Sequence, residues 1–260
     1  MNTWLKALAT AFIFLTRLPM PTFNNIEPED EGRSLLCFPI VGIFIGLLLW
    51  IIGSSLHTTL SPLVLAAVLT AFWAAVTGGL HLDGLADSAD GWLGGLGDVD
   101  KTLTIMHDSR CGSGALVAVV CLLILKFAAL TVIVQHQLWP ALLVAPILGR
   151  CAGPLLFIPG RFLYTPYVQP SGIAKNFIDH CPSVARHTVA VLTIACALFI
   201  GNFWIAIAVI TASTLTLYLM RRMMLKRLGG ATGDTAGACT EVIETVVLIV
   251  YGAMLPAVIA

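Results

Sequence analysis

The sequence predicts an all-α protein, a polytopic integral membrane helical bundle of about seven spans with a short N-terminal interfacial or re-entrant helix. Three observations carry that prediction. The 260 residues are 58% hydrophobic and only 11% charged, and the mean hydropathy is +0.94. Several apolar runs reach the roughly 20 residues that a helix needs to cross hydrocarbon. The remaining charges gather in a few polar segments rather than spreading along solvent faces. A net charge of zero gives no electrostatic case for a nucleic-acid partner. The seven cysteines are scattered, lack a CxxC pair and lie mostly in apolar runs. They read as small core residues without disulfides.

Taken in order, residues 4–18 are apolar but short, with Lys6 and Arg17 near the ends. Arg17, Pro19 and Pro21 stand where a cleaved signal peptide needs small residues, so this is read as an interfacial or re-entrant helix, with a true span as the alternative. Residues 20–32 form a polar loop with Glu27, Glu29, Asp30 and Glu31. Spans are expected at 35–56, 62–80, 114–134 and 138–158. The run 188–220 is too long for one untilted span, and Gly201-Asn202 is a turn signal that splits it in two. The last span is 242–260. Polar segments at 82–111, 159–187 and 221–240 separate these spans, and residues 1–260 form a single membrane domain.

Charge placement orients the bundle. Eleven of the fourteen basic residues fall on one side: Arg17, Arg33, Lys101, Arg110, Arg161, Lys175, Arg186, Arg221, Arg222, Lys226 and Arg227. The opposite connections, near His57, Gln135–Gln137 and Gly201-Asn202, carry none. The charged side is therefore expected to be cytoplasmic. A single crossing of 188–220 would move Arg221, Arg222, Lys226 and Arg227 outside, which favours seven spans over six.

The chemistry is expected in three polar motifs, which makes the cytoplasmic face the predicted active-site face. The first, HLDGLADSADG at 81–91, puts Asp83, Asp87 and Asp90 into a short stretch. On a helix, Asp87 and Asp90 lie about 40° and about 20° to either side of Asp83. Three carboxylates on one narrow face need a cation among them, and hard ions such as Mg²⁺ take carboxylate and phosphate oxygens. A solvated acidic helix end is the plainer alternative. The second motif, His107-Asp108-Ser109-Arg110, pairs an anion-binding guanidinium with a further carboxylate, either for a phosphate and its metal or as a juxtamembrane charge pair. The third, GGATGDTAGACTEVIE at 229–244, offers Gly229, Gly230, Thr232, Gly233 and Asp234 at the mouth of a helix, where backbone N–H groups cradle phosphates. Arg221, Arg222, Lys226 and Arg227 precede it, and Asp234, Glu241 and Glu244 share a helix face. Its plainer alternative is a flexible Gly loop before a span. Lys126 and Arg150 fall inside spans, where ionisable groups need a partner or a cavity. His81 would point away from Asp83 unless Gly78-Gly79 break the helix, and is otherwise an interfacial histidine.

HLDGLADSADG, MHDSRCGSGA at 106–115 and GGATGDTAGACTE at 229–241, with FLTRLPMP at 14–21 and FPIVG at 38–42, resemble the motifs of the cobalamin synthase (adenosylcobinamide-GDP ribazoletransferase) family. The likeness runs from about residue 12 to 244. It implies a Mg²⁺-dependent inner-membrane enzyme of late cobamide assembly. Such an enzyme joins adenosylcobinamide-GDP to α-ribazole, or its 5′-phosphate, and releases GMP. The site this implies uses Asp83, Asp87, Asp90 and Asp108 as metal ligands, with Asp87, Asp90, Asp108 and Arg110 catalytic. Arg110, Arg227, Gly229, Gly230, Thr232, Gly233 and Asp234 would hold phosphate. Other late cobamide-assembly enzymes are candidate partners beside the bilayer. A weaker likeness to CDP-alcohol phosphotransferases matches Asp87, Asp90, Gly91 and Asp108. It fails at Gly94-Gly95, Thr104 and Gly112, and so leaves the general base unassigned. The competing readings are a transporter or ion-coupled carrier with a carboxylate cation site, and a membrane assembly platform. Carboxylates crowded at one end rather than at the bilayer midplane favour the enzyme.

Overall fold

The computed structural model describes residues 3–23, 26–157, 164–169, 173–181 and 202–254. Among these residues the regular structure is helical, apart from one isolated β-bridge between Tyr167 and Ala231. The helices are α1 (Thr3–Leu15), α2 (Pro28–Leu56), α3 (Pro62–Thr77), α4 (Leu80–Gly94), α5 (Val99–Met106), α6 (Ser113–Gln135), α7 (Trp139–Phe157), α8 (Ile173–Asp179), α9 (Phe203–Leu228) and α10 (Gly233–Ala253). Five of them, α2, α6, α7, α9 and α10, are long and apolar enough to cross a bilayer, and the pair α3–α4, bent by 87°, passes that test only when its two helices are taken together. The chain is thus a multi-pass membrane protein. The span expected between 188 and 201 lies outside the described residues, as does the chain beyond 254.

Three boundaries differ from the sequence expectation, each for a capping reason. The acidic stretch expected to be loop is instead the first turn of α2. Glu27 and Asp30 form a capping box, Pro28 fills the first turn, and the carboxylates favour the positive helix end. Buried Asp30 also pairs with Lys6 at 3.5 Å and Arg33 at 3.5 Å, tying α1 to the base of α2. The basic stretch expected as loop from 221 is the continuation of α9, which ends only at Gly229 with φ 72°. Its 26 residues span about 39 Å, longer than the hydrocarbon core of roughly 30 Å, so the helix outlasts its apolar part. The last helix begins at Gly233 rather than 242. Thr232 caps it, accepting from Thr235 N at 3.1 Å while Thr235 Oγ1 accepts from Thr232 N at 2.9 Å.

Small residues set the helix spacing. A Cβ at Gly42 would lie 2.6 Å from the Pro146 carbonyl oxygen, and one at Gly46 would lie 2.7 Å from Leu143 Cα. This G-x-x-x-G stripe lets α2 and α7 touch backbone to backbone. Helix α10 is buried through most of its length and packs against α4, α6, α7 and α9. Gly78 and Gly79, at φ 63° and 71°, end α3 and turn α4 away by 87°. That conformation costs most residues about 1–2 kcal/mol but not glycine. The sharp turn keeps α4, with its carboxylates, at one end of the bundle.

Candidate active site

Helix α4 already runs at Asp83, so Asp83, Asp87 and Asp90 share a helical face as the spacing predicts. What brings a second motif to them is Gly84. A Cβ there would lie 2.6 Å from the Asp234 carbonyl oxygen, so α4 rests directly on the first turn of α10. Asp234 thereby joins Asp83 and Asp87. Partial burial, then the neighbouring Asp83, Asp234 and Asp90 charges, push the Asp87 carboxyl up to about 6, and His107 partly offsets them. The cluster is anionic and under-compensated.

Asp90 has a second task. Its Oδ2 accepts from Gly112 N at 2.6 Å and its Oδ1 from Ala115 N at 2.8 Å, so it caps α6 from outside that helix. The second motif returns to α4 through this contact. Asp108 itself is held by Arg110, whose Nε and Nη2 grip both carboxylate oxygens at 2.5–3.0 Å. This hydrogen-bonded pair keeps the Asp108 carboxyl down at about 2. Arg110 is largely exposed, and its fork is filled by Asp108. Arg227 donates Nη2 to the Trp92 carbonyl at 2.7 Å, fastening α9 to the end of α4.

In the glycine-rich motif, Gly229 ends α9 and Gly230 packs on Pro166, where a Cβ would meet the carbonyl oxygen at 2.2 Å. Ala231 exchanges hydrogen bonds with Pro166 and Val168 at 2.8 and 3.0 Å. The segment is therefore a fixed connector, and Gly233 and Asp234 are its residues that reach the cavity described below. This pairing brings in residues that sequence reasoning missed. Tyr167 Oη donates to Gln169 Oε1 at 2.7 Å. Gln169 Nε2 lies 3.1 Å from His107 Nε2, and His107 Nδ1 donates to the Leu103 carbonyl at 2.7 Å. Gln169 is also a hydrogen-bond neighbour of Asp234. Nothing local in the polar stretch around Tyr167 and Gln169 marks them. Only the bridge to Ala231 does.

Lys126 and Arg150 are not at the carboxylate face. Lys126 Nζ binds Glu241 at 2.6 Å and Glu244 at 2.7 Å, over the Trp73 ring at 4.5 Å. Arg150 pairs with Glu244. All four are buried, and two cations balance two anions. Glu241 and Glu244 are thereby separated in role from Asp234 on the same helix.

Between this cluster and the carboxylates lies a cavity of about 470 Å³. Among the described residues its lining includes His81, His107, Arg150, Tyr167, Gln169 and Asp234. Among the described residues, no three His, Cys, Asp or Glu side chains converge closely enough to hold a metal as they stand. The donor chemistry nonetheless fits a hard divalent ion. The Asp83, Asp87 and Asp234 donors are carboxylate oxygens, the ligand type that Mg²⁺ takes.

Fold and site together define a multi-pass helical membrane protein with a carboxylate-rich polar site at one end of its bundle. A family model described as cobalamin-5-phosphate synthase matches residues 7–252. A Pseudomonas fluorescens adenosylcobinamide-GDP ribazoletransferase is 47% identical over 240 residues, 92% of this chain and 96% of the relative. Proteins of the same name from Stutzerimonas stutzeri and Pseudomonas putida are 48% and 44% identical, each across at least 92% of this chain and 95% of the relative. No solved structure matches. The chain belongs to the cobalamin-5-phosphate synthase family.

Proposed function

We propose that the chain is an adenosylcobinamide-GDP ribazoletransferase of late cobamide synthesis. It joins adenosylcobinamide-GDP to α-ribazole, or its 5′-phosphate, and releases GMP. The observation that carries the site assignment is the contact of Gly84 with Asp234, which fuses two polar motifs into one anionic cluster beside a cavity. Asp83, Asp87 and Asp234 would hold Mg²⁺, whose positive charge would offset that of the diphosphate. Asp90 and Asp108 are the remaining carboxylates of the set. Asp90 keeps α6 against α4, and Asp108 orients Arg110.

The reaction is attack of a ribose hydroxyl on the phosphorus nearer the cobinamide, with departure of GMP. Negative charge grows on the bridging oxygen. Arg110 supplies a planar fork for it once the diphosphate competes with Asp108. The first turn of α10, capped by Thr232 and beginning at Gly233 and Asp234, presents a positive helix end to the phosphate. Gly229, Gly230 and Arg227 hold that turn in place. Gln169 and His107 face Asp234 and orient the attacking hydroxyl.

The protein lies in the bacterial inner membrane with this site toward the cytoplasm, supported by the eleven basic residues on that side of the sequence. The bilayer is its permanent partner, and other late cobamide-assembly enzymes meet it at the cytoplasmic face. The test uses purified protein in lipid nanodiscs, supplied with adenosylcobinamide-GDP, α-ribazole 5′-phosphate and Mg²⁺. Stoichiometric GMP and cobamide phosphate are expected. Absence of GMP at every Mg²⁺ concentration would overturn the proposal.

A further inference from the structure

Resting on that reaction, we propose that the cavity between α2, α4, α7, α8 and α10 is the seat of the aromatic nucleoside acceptor, its heterocycle innermost and its ribose toward Asp234. Four observations carry this. The first is size. At about 470 Å³ the space falls among small-molecule sites, roughly 300–1,000 Å³. It suits a nucleoside and excludes a corrin ring bearing a nucleotide arm.

The second is the wall. Phe14, Phe38 and Phe177 form one aromatic cluster, with ring centroids 5.0–5.9 Å apart, and all three line the cavity. Offset and edge contacts of this kind accept a flat heterocycle. The third is a set of unspent polar groups. His81 is buried, lines the cavity and among the described residues has no hydrogen-bond partner for Nδ1. Arg150 is 1% exposed and also lines it, and among the described residues neither its Nε nor its Nη2 has an acceptor. Buried polar atoms are normally satisfied, so residues of the cavity wall that carry orphan atoms point to an occupant bearing matching atoms.

The fourth is charge. Arg150 is already balanced within the Lys126, Glu241 and Glu244 cluster. A phosphate brought there would leave net negative charge buried, whereas a neutral heterocycle and its ring nitrogen add none. The polar end of the acceptor therefore stays at Asp234, Gln169 and His107. Asp234 and His107 both act on Asp87, so that end adjoins the carboxylates.

The experiment is binding of α-ribazole to the full-length protein in nanodiscs, measured by calorimetry without Mg²⁺ and without the corrinoid, alongside initial rates for both substrates. Two variants on different helices report independently, His81→Leu on α4 and Ala174→Phe, which fills the cavity from α8. Each is expected to weaken α-ribazole binding at least tenfold and to raise its KM, leaving the KM for adenosylcobinamide-GDP within twofold and the thermal midpoint unchanged. Unchanged α-ribazole affinity in either folded variant overturns the assignment, and so does a rise confined to the corrinoid KM. The proposed reaction fails separately: the parent then releases no GMP, although α-ribazole binding is still measured.

Discussion

Asp87 is the residue whose chemistry is most exposed to test. Its carboxyl is raised from the ordinary carboxylate range to about 6, so the folded state binds its proton more readily than the unfolded chain does. The stabilising contribution is complete below the ordinary range near 3.8 and is lost as pH rises through 6. In metal-free buffer, Asp87→Asn is expected to melt above the parent at pH 8, with the difference closing as pH falls through 6. The same variant is expected to lose turnover at all Mg²⁺ concentrations. A melting difference independent of pH would contradict the charge-crowding account. Arg110→Lys keeps charge but loses the fork, and is expected to slow turnover by about two orders of magnitude, the scale of one preorganised donor. Parent-like rates in both Arg110→Lys and Arg110→Ala would return Arg110 to a surface ion pair. At this scale the sequence showed that Asp83, Asp87 and Asp90 share a face, because helical spacing is local. It could not show that Asp90 accepts two backbone hydrogen bonds from α6, since those donors lie more than twenty residues away.

Elements bring the separate motifs together. Asp90→Ala removes the cap of α6 and is expected to cost about 1–2 kcal/mol, measured by denaturant or thermal melting in nanodiscs, the magnitude of a lost cap at a helix N-terminus. Gly84→Val is a different kind of lesion. It drives α4 from Asp234 and is expected to cut turnover at least a hundredfold while the spans still insert, which the ratio of rate to membrane-accumulated protein reports. A fully active Gly84→Val would deny that the two helices must touch. Helix ends were the least legible feature. Hydropathy marks where a helix leaves hydrocarbon, whereas capping boxes at Glu27 and Thr232 and the left-handed Gly229 mark where it begins or stops. The offsets at α2, α9 and α10 all follow from that distinction.

At the scale of the whole molecule, the buried Lys126, Arg150, Glu241 and Glu244 cluster joins α6, α7 and α10 inside the bundle. Removing one partner leaves an uncompensated buried charge, at a cost of about 3–5 kcal/mol. Lys126→Met is therefore expected to accumulate poorly, and Lys126→Met with Glu241→Gln to recover most of the protein, read by quantitative blotting of membranes. Equal loss in the single and double variants would make Lys126 important for something other than charge balance. Orientation has its own probe. Cys111 is exposed beside the carboxylate site. An impermeant thiol reagent is expected to label it only after cells are opened, whereas Thr58→Cys at the other end of α2 labels from outside.

The sequence by itself determined the class and the family. Long apolar runs must be satisfied as helices in lipid, because no water is available to their backbone groups. Acidic, basic and glycine-rich motifs must lie where those runs stop. Which motif meets which was decided only by tertiary structure. The approach of Gly84 to Asp234, the grip of Asp90 on α6 and the pairing of Pro166–Val168 with Ala231 join residues far apart in the chain. The reason is physical. Helical periodicity acts over a turn or two, whereas a site built from several helices depends on how closely their backbones approach, and small residues set that distance only once a partner is present.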